Sequence, residues 1–353
     1  MQAVTGRTRH AGEDIGSSLR RLLACTAALI AGIFARGLAW ALPACPASPS
    51  IISSCCVANQ PGKTYALGAN LIAPGECIDI SAPKVVLSMN GFGITGPGAT
   101  GIGIHVLSTA PNGVIFWGPP VVVENFATGF QSDALNTFAF EPETDFNNRG
   151  MVLNGPDAFV VGAVARANVK NGIVLTAAAS GSFMFGPASQ VNGANGIVLN
   201  GTTGVILWKP QSLANVGYGL WLKGAFFNSV IEPLLEENTI AGAYLGCHAS
   251  GPSPAACSIP PSNDNSISGG TVGSSCTTTP APQAYGIAID TGNAHNHVLF
   301  MAADTNSNCT TPGDTIFDGF DGNGPACARN FWFANSFPLK NHAPSSTFPL
   351  CID

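Results

Sequence analysis

The sequence predicts an all-β protein built as a parallel β-helix, with coils of about 21–24 residues. The main observation is a recurring unit: Pro, four residues, Asn, three residues, Gly and an apolar triplet that ends in Leu. Its clearest copies, 23 residues apart, are Pro187/Asn192/Gly196, Pro210/Asn215/Gly219 and Pro233/Asn238/Gly242. Periods of this size are typical of solenoids. The second observation is that the apolar pieces are short, β-branched or aromatic, and bounded by Gly, Pro or Asn, which indicates strands.

Weaker copies of the unit extend the repeat toward the amino terminus. They are Pro120/Asn125/Gly129, Pro142/Asn147/Gly150 and Ala163/Asn168/Gly172. Helical solenoids need longer repeats with two helical patterns, and the L-x-x-L-x-L frame of leucine-rich repeats is missing. Asn tolerates bent backbone, and stacked amides hydrogen-bond to one another. We therefore expect a structural ladder at one corner of the coils, formed by Asn125, Asn168, Asn192, Asn215 and Asn238.

Side chains that follow the Gly of each unit should alternate between core and surface. The first and third positions, such as Ile197 and Leu199, are expected to point inward, and the second position outward. The outward column places Trp221 beside Tyr244, with Lys223 alongside. Stacked exposed rings form a flat platform for a sugar ring or a partner surface, so these three residues are candidate ligand-binding residues. The alternative is that a loop, such as the Pro-rich segment 250–262, buries the column.

The chain is expected to divide into four segments. They are a signal peptide at 1–41, an amino-terminal cap at 42–76, the β-helix at 77–337 and a carboxyl-terminal cap segment at 338–353. The pair Arg20–Arg21, an apolar stretch at 22–34 and an A-x-A site at 39–41 indicate the signal peptide. The protein is then secreted, periplasmic or on the cell surface, with no membrane span after cleavage. An uncleaved membrane anchor is the alternative.

The charge balance argues against nucleic acid as a partner. The chain has a formal net charge of −6, and loss of residues 1–41 would leave 9 basic and 18 acidic residues, a net charge of −9. Such a protein is repelled by nucleic acids and by anionic membranes. One local ion pair is expected on the surface, because Glu232 should stack one coil above Lys209.

The cysteines indicate an oxidising compartment. Cysteines are absent between Cys77 and Cys247, where the repeat is most regular, and cluster toward the two ends, where cross-links stabilise a thin core most. Many pairings are compatible with the sequence. The pairings we favour are Cys247–Cys257 and Cys276–Cys309. A zinc site is the rival interpretation, and the chain has no C-x-x-C pair to support it.

The carboxyl-terminal segment carries a dense polar and aromatic pattern. Its residues are Asp318, Asp321, Asn323, Cys327, Asn330, Trp332, Asn335 and Phe337, followed by Cys351–Ile352. This pattern resembles the ending of exported bacterial right-handed parallel β-helix proteins of the pectate-lyase-like superfamily. The resemblance implies a right-handed helix over about residues 77–353 and a Cys327–Cys351 disulfide. It implies no reaction, because a fold does not fix a function.

One irregular coil, at 133–157, concentrates acidic residues. Within it Asp145 and Asp157 with Arg149 are the nearest match to a calcium-dependent polysaccharide lyase, in which clustered acids and a basic residue remove a proton next to a uronate carboxylate. A solvated loop is the plainer interpretation. No metal is predicted, because His295 and His297 lack a third ligand. No cofactor is expected, apart from calcium if the protein is a lyase.

Two hypotheses follow from the sequence. The first is an exported scaffold without catalytic activity that binds a polysaccharide or a surface protein. The second is a polysaccharide lyase or glycoside hydrolase that acts through the acidic coil. The second requires at least two carboxyl groups and a base around a single groove.

Overall fold

The computed structural model describes residues 42–116, 121–249, 260–273, 283–304, 317–323, 329–337 and 340–341. Within them the chain forms the predicted parallel β-helix, since every strand pairing is parallel. A 3-10 turn, Ala177–Ala179, follows the strand Ile173–Thr176. The described residues include no helix that is long and apolar enough to cross a membrane.

Three sheets run along the stack of coils. The first sheet consists of Ile51–Ile52, Thr64–Leu67, Val86–Ser88, Val114–Phe116, Phe138–Phe140, Phe159–Val161, Phe183–Phe185, Ile206–Trp208, Ser229–Ile231, Ser266–Ser268, His297–Leu299 and Phe331–Phe333. The second consists of Cys56–Ala58, Ile78–Ile80, Ile94–Val106, Val123–Ser132, Arg149–Leu153, Ile173–Thr176, Ile197–Asn200, Tyr218–Lys223, Ala241–Leu245, Tyr285–Ile289, Phe317–Asp321 and Lys340–Asn341. The third consists of Leu71–Ile72, Glu143–Asp145, Val164–Arg166, Ala188–Gln190, Gln211–Leu213, Leu234–Glu236, Thr271–Gly273 and Ala302–Asp304, with the beginnings of Ile94–Val106 and Val123–Ser132.

The second and third sheets are joined because two long strands pass through the corner between them. Ile94–Val106 and Val123–Ser132 pair along both sheets, with a register irregularity between Thr95 and Thr100. The stack also begins earlier than predicted. Ile51–Ile52 already pairs with Thr64–Leu67, so strands of the β-helix lie within the segment expected to be only a cap.

The inward columns match the predicted alternation. Ile173, Leu175, Ile197 and Leu199 are fully buried, and they pair in register from coil to coil. The middle position of the first sheet supplies a second buried column, from Ala139 through Leu207 to Trp332. The core is therefore a stack of equivalent side chains, each layer packed on the next.

The asparagine ladder lies at the corner between the third and second sheets. The backbone amides of Asn147, Asn168, Asn192 and Asn215 each donate to the side-chain oxygen of the next Asn, over 2.9 to 3.2 Å. All of these side chains are buried. The prediction was wrong for Asn125, because it is the amide of Phe126 that donates to Asn147. Asn125 itself has a φ of 63° on the continuous strand.

The Gly of each unit is explained by the same corner. A Cβ on Gly219 would lie 2.5 Å from the side-chain nitrogen of Asn238 and 2.6 Å from the carbonyl oxygen of Gly242. A side chain there would displace the ladder, so only Gly fits.

A second ladder lies at the corner before the first sheet. Asn228, Asn265 and Asn296 donate in the same way to the next Asn, ending at Asn330, over 2.9 to 3.1 Å. In the carboxyl-terminal pattern, Asp321 accepts hydrogen bonds from Asn330 and Trp332. That pattern therefore serves the structure of the last coils.

Two disulfides, Cys45–Cys56 and Cys55–Cys77, fasten the amino-terminal end. Cross-links at an end were predicted, but these two pairings were not. Cys247 is disulfide-bonded as well. Its favoured partner Cys257, and the cysteines of the other two predicted pairs, Cys276, Cys309, Cys327 and Cys351, lie outside the described residues.

We expect the ladder to be a large contributor to stability. Asn215→Ala should lower the free energy of unfolding by at least about 2 kcal/mol, because it removes the acceptor of two buried donors of Asn192. Urea unfolding followed by circular dichroism measures the change. Asn200→Ala, at an exposed position, is the matched control. Equal stability of the two variants would contradict a structural role for the ladder.

Candidate functional site

A shallow groove of about 350 Å³ lies on the outer face of the second sheet. Three valines in register, Val152, Val174 and Val198, line it along the helix axis. The other lining residues are Gln131, Arg149, Asn154, Asn171, Thr176, Asn200, Trp221 and Lys223. The groove thus combines an apolar strip with amide, hydroxyl and cationic side chains. This mixture suits a ligand that has both hydroxyl groups and an apolar face.

The two charged groups of the groove are both positive. Arg149 and Lys223 line it, and none of its lining residues is acidic. The strand of Lys223 lies three coils from that of Arg149, which separates them by about 14 Å along the axis at the usual strand spacing. The Lys223 ammonium lies 5.0 Å from the centre of the Trp221 ring, a cation–π contact.

The prediction that Trp221 and Tyr244 form a platform of two exposed rings is wrong. Tyr244 is fully buried, and Trp221 is 7% exposed. The burying partners are Tyr218, whose ring stacks 4.4 Å from that of Tyr244, and the segment that follows the strand. The Trp221 indole donates to the Gly246 carbonyl over 2.8 Å. Trp221 and Lys223 remain at one end of the groove, whereas Tyr244 is buried in the next coil along the same column.

The three predicted catalytic residues do not meet. Asp145 lies on the third sheet, where Arg166 holds it together with Glu143. Burial raises the pKa of Asp145, and the charge and hydrogen bonds of Arg166 oppose this effect. Asp157 is exposed in the turn before the first sheet. Only Arg149 lines the groove, so these residues do not surround one site.

A polar cluster that no local sequence motif marks adjoins the groove. His105 Nε2 lies 2.7 Å from Asp133 Oδ2, and Gln131 and Asn154 donate to the same carboxylate over 3.1 and 2.7 Å. Burial alone would raise the pKa of Asp133, but these hydrogen bonds hold it below its ordinary value. Gln131 and Asn154 also line the groove, so the cluster is continuous with it. Extending the outward column from Val152 to Gln131 and His105 would have found it.

Asp79 lies next to His105 in the same column. Its Oδ1 is buried without a hydrogen-bond partner among the described residues. Burial raises the pKa of Asp79, the charge of Glu76 acts in the same direction, and His105 opposes them. The ionised form of Asp79 is therefore a source of instability.

A Cys, a His and an Asp come together near the hydroxyl of Tyr244. Atoms of Cys247, His248 and Asp290 lie within 4.8 Å of one another, which is a metal-ligand arrangement. The sulfur of Cys247 is bound in a disulfide, however, and a metal needs the thiolate. Asp290 instead accepts a 2.5 Å hydrogen bond from Tyr244, whose pKa is raised by burial and by this bond. These contacts hold the segment after Leu245 over the buried rings of Tyr218 and Tyr244.

Comparison with solved structures shows the same fold elsewhere. The A-module of the mannuronan C-5 epimerase AlgE4 of Azotobacter vinelandii is 15% identical, with a TM-score of 0.54 over 84% of this chain and 76% of that one. The enzymatically active domain of bacteriophage CBA120 tailspike protein 2 is 12% identical, with a TM-score of 0.53 over 82% of this chain and 48% of that one. The chain shares their fold, a parallel β-helix. No protein-family model and no curated protein matches it.

The opposite pKa shifts of Asp79 and Asp133 predict opposite pH effects. The raised pKa of Asp79 destabilises the fold as pH rises through it, so Asp79→Asn should increase the free energy of unfolding at pH 7 and not near pH 3. The lowered pKa of Asp133 contributes stability above the ordinary pKa of about 3.9. Asp133→Asn should therefore lose stability at pH 7 and little near pH 3. Urea unfolding across pH measures both, and changes of the same sign would contradict the assignment.

Proposed function

We propose that the groove binds an acidic polysaccharide that contains uronic acids. The observation that carries this proposal is the pairing of Arg149 and Lys223 in a groove without carboxylates, on a chain whose net charge is −6. The chain has 14 basic and 20 acidic residues, yet the only charged residues that line this groove are basic. Carboxylates of the ligand would pair with these two side chains.

The remaining lining groups fit a sugar chain. Gln131, Asn154 and Asn171 offer amide donors and acceptors to hydroxyl groups, and the valine strip offers a surface for the C–H faces of the rings. The groove runs along the stack of coils, so a linear polysaccharide can lie across several of them. One protein with the same fold is named a mannuronan C-5 epimerase. Mannuronan is a polyuronate, which supports this ligand class.

An extracytoplasmic location belongs to the same proposal. Disulfides persist in oxidising compartments, and the two at the amino-terminal end fit secretion or a periplasmic or cell-surface location. Acidic polysaccharides are encountered in these places. A surface protein with an acidic segment is the other partner that the groove could take.

The His105–Asp133 pair favours a second candidate, a polysaccharide lyase. In the tautomer in which Nε2–H donates to Asp133, Nδ1 of His105 carries the lone pair that can accept a proton. In such a reaction the base takes the proton next to the uronate carboxylate, a C=C bond forms, and the adjacent glycosidic C–O bond breaks, with the departing oxygen taking up a proton from water. Arg149 and Lys223 would balance the charge that develops on the carboxylate. Calcium prefers carboxylate ligands, which the groove lining does not provide.

Binding is tested by isothermal titration with a polyuronate oligosaccharide. Arg149→Ala and Lys223→Ala should each weaken binding about tenfold or more, because a charge-assisted hydrogen bond is worth about 1.5–3 kcal/mol. Binding should also weaken with salt. Lys84→Ala, an exposed lysine on another part of the coil, is the control and should bind normally. Equal affinity for a neutral glucan would contradict the proposal.

Catalysis is tested by the absorbance of the unsaturated product. If the wild type forms it, His105→Gln should remove turnover and retain polyuronate binding, because the amide keeps polarity but accepts no proton at pH 7. Asp145→Asn should leave turnover unchanged, since Asp145 is held by Arg166 away from the groove. No product from the wild type would eliminate the lyase candidate and leave binding intact.

A further inference from the structure

The outer face of the first sheet is apolar over the four coils from Phe138–Phe140 to Ile206–Trp208, and Val114 continues one of its columns toward the amino terminus. Its aromatic residues are Phe138, Phe140, Phe159, Phe183, Phe185 and Trp208, which we call the aromatic face. Adjacent rings are in contact: Phe159 stacks on Phe183 at 5.3 Å, and Phe185 lies 6.0 Å from Trp208. Phe185 and Trp208 are 42% and 40% exposed. All eight outward positions of these four strands are apolar, since Val161 and Ile206 fill the other two.

On its carboxyl-terminal side the apolar stretch ends over the next two coils, in which Ile231 is the last apolar outward residue before Ser268. In the same columns Ser229 follows Ile206, and Ser266 and Ser268 follow on the next strand. The inward positions require apolar residues for packing, but the outward positions do not. Four strands of three residues span roughly 19 by 10 Å at the usual strand spacing and rise, so the apolar side chains form one contiguous patch of about 200 Å².

The charges at the edge of the aromatic face are arranged symmetrically. The residue directly after each of the four strands is Glu141, Gly162, Gly186 and Lys209 in turn. All four adopt positive φ between 52° and 64°, so they occupy equivalent positions of the coil. A negative and a positive residue therefore bracket two glycines.

We propose that the aromatic face is the interface of a twofold dimer of this chain. A twofold axis parallel to the strands, between Phe159–Val161 and Phe183–Phe185, places the strand of Phe138 on that of Trp208 in the second copy. The same operation brings Glu141 of each copy to Lys209 of the other, and Gly162 to Gly186. A self-complementary surface is what a twofold interface needs.

The details of the edge agree with this arrangement. The side chain of Glu141 is exposed. Lys209 forms an ion pair with Glu232 over 3.3 Å, and because both side chains are about half exposed, this pair contributes little stability. Lys209 can contact both acids. The two central glycines carry no side chain, so they let the copies approach. The aromatic face supplies the apolar centre and the charges supply the polar rim that protein–protein interfaces combine.

Sedimentation equilibrium of the protein tests the dimer. The wild type should be dimeric in the micromolar range, and Phe185→Glu should be monomeric. Val169→Glu, at a 66% exposed position on another part of the coil, is the control and should stay dimeric. A wild type that is monomeric across this range, or trimeric, would overturn the proposal and favour a different protein or a lipid surface as the occupant.

Charge reversal tests the geometry without touching the apolar patch. Glu141→Lys and Lys209→Glu should each raise the dimer Kd about tenfold or more at low salt, because like charges then face each other twice. The double variant should return to near the wild-type Kd, since both pairs are restored in reverse. Both residues are exposed, so folding should be unaffected. Failure of the double variant to recover would overturn this twofold axis.

Discussion

The rest of the structure depends on one constraint, the in-register hydrogen bonding of each coil to the next. At the corner this register is fixed by the asparagine ladder, in which each side-chain oxygen accepts the backbone amide of the preceding coil. The ladder continues beyond Leu245, because the side chain of Gln283, 45 residues after Asn238, accepts the amide of Asn238. Successive ladder positions can therefore be far apart in sequence, provided that the corner is restored.

The repeat was sufficient to predict the fold, the inward columns and the Lys209–Glu232 pair, because each depends on equivalent positions in neighbouring coils. The repeat did not predict features that depend on segments outside the regular units. Tyr244 is buried through contacts with His248 and Asp290, which lie outside the regular units. Asn125 was misassigned because its strand runs straight through the corner.

The candidate site was harder to predict for the same reason. His105 and Asp133 are 28 residues apart, in coils where the repeating unit is weak or absent. No local motif marks them, and only the register of the outward column brings them beside Gln131. Likewise, Arg149 and Lys223 become one site only through the stacking of the coils between them. A β-helix thus distributes a site over a column that local sequence patterns do not reveal.

Side chains in the outward columns can vary without loss of core packing. The groove and the aromatic face lie on different outward columns. The groove belongs to the second sheet and the aromatic face to the first, so dimer formation does not require the lining of the groove. A twofold axis parallel to the strands reverses the direction of the coil stack in the second copy. The two grooves then run in opposite directions on separate subunits. Such a dimer would join two polysaccharide chains, and its gain in avidity would appear with polymers and not with short oligosaccharides.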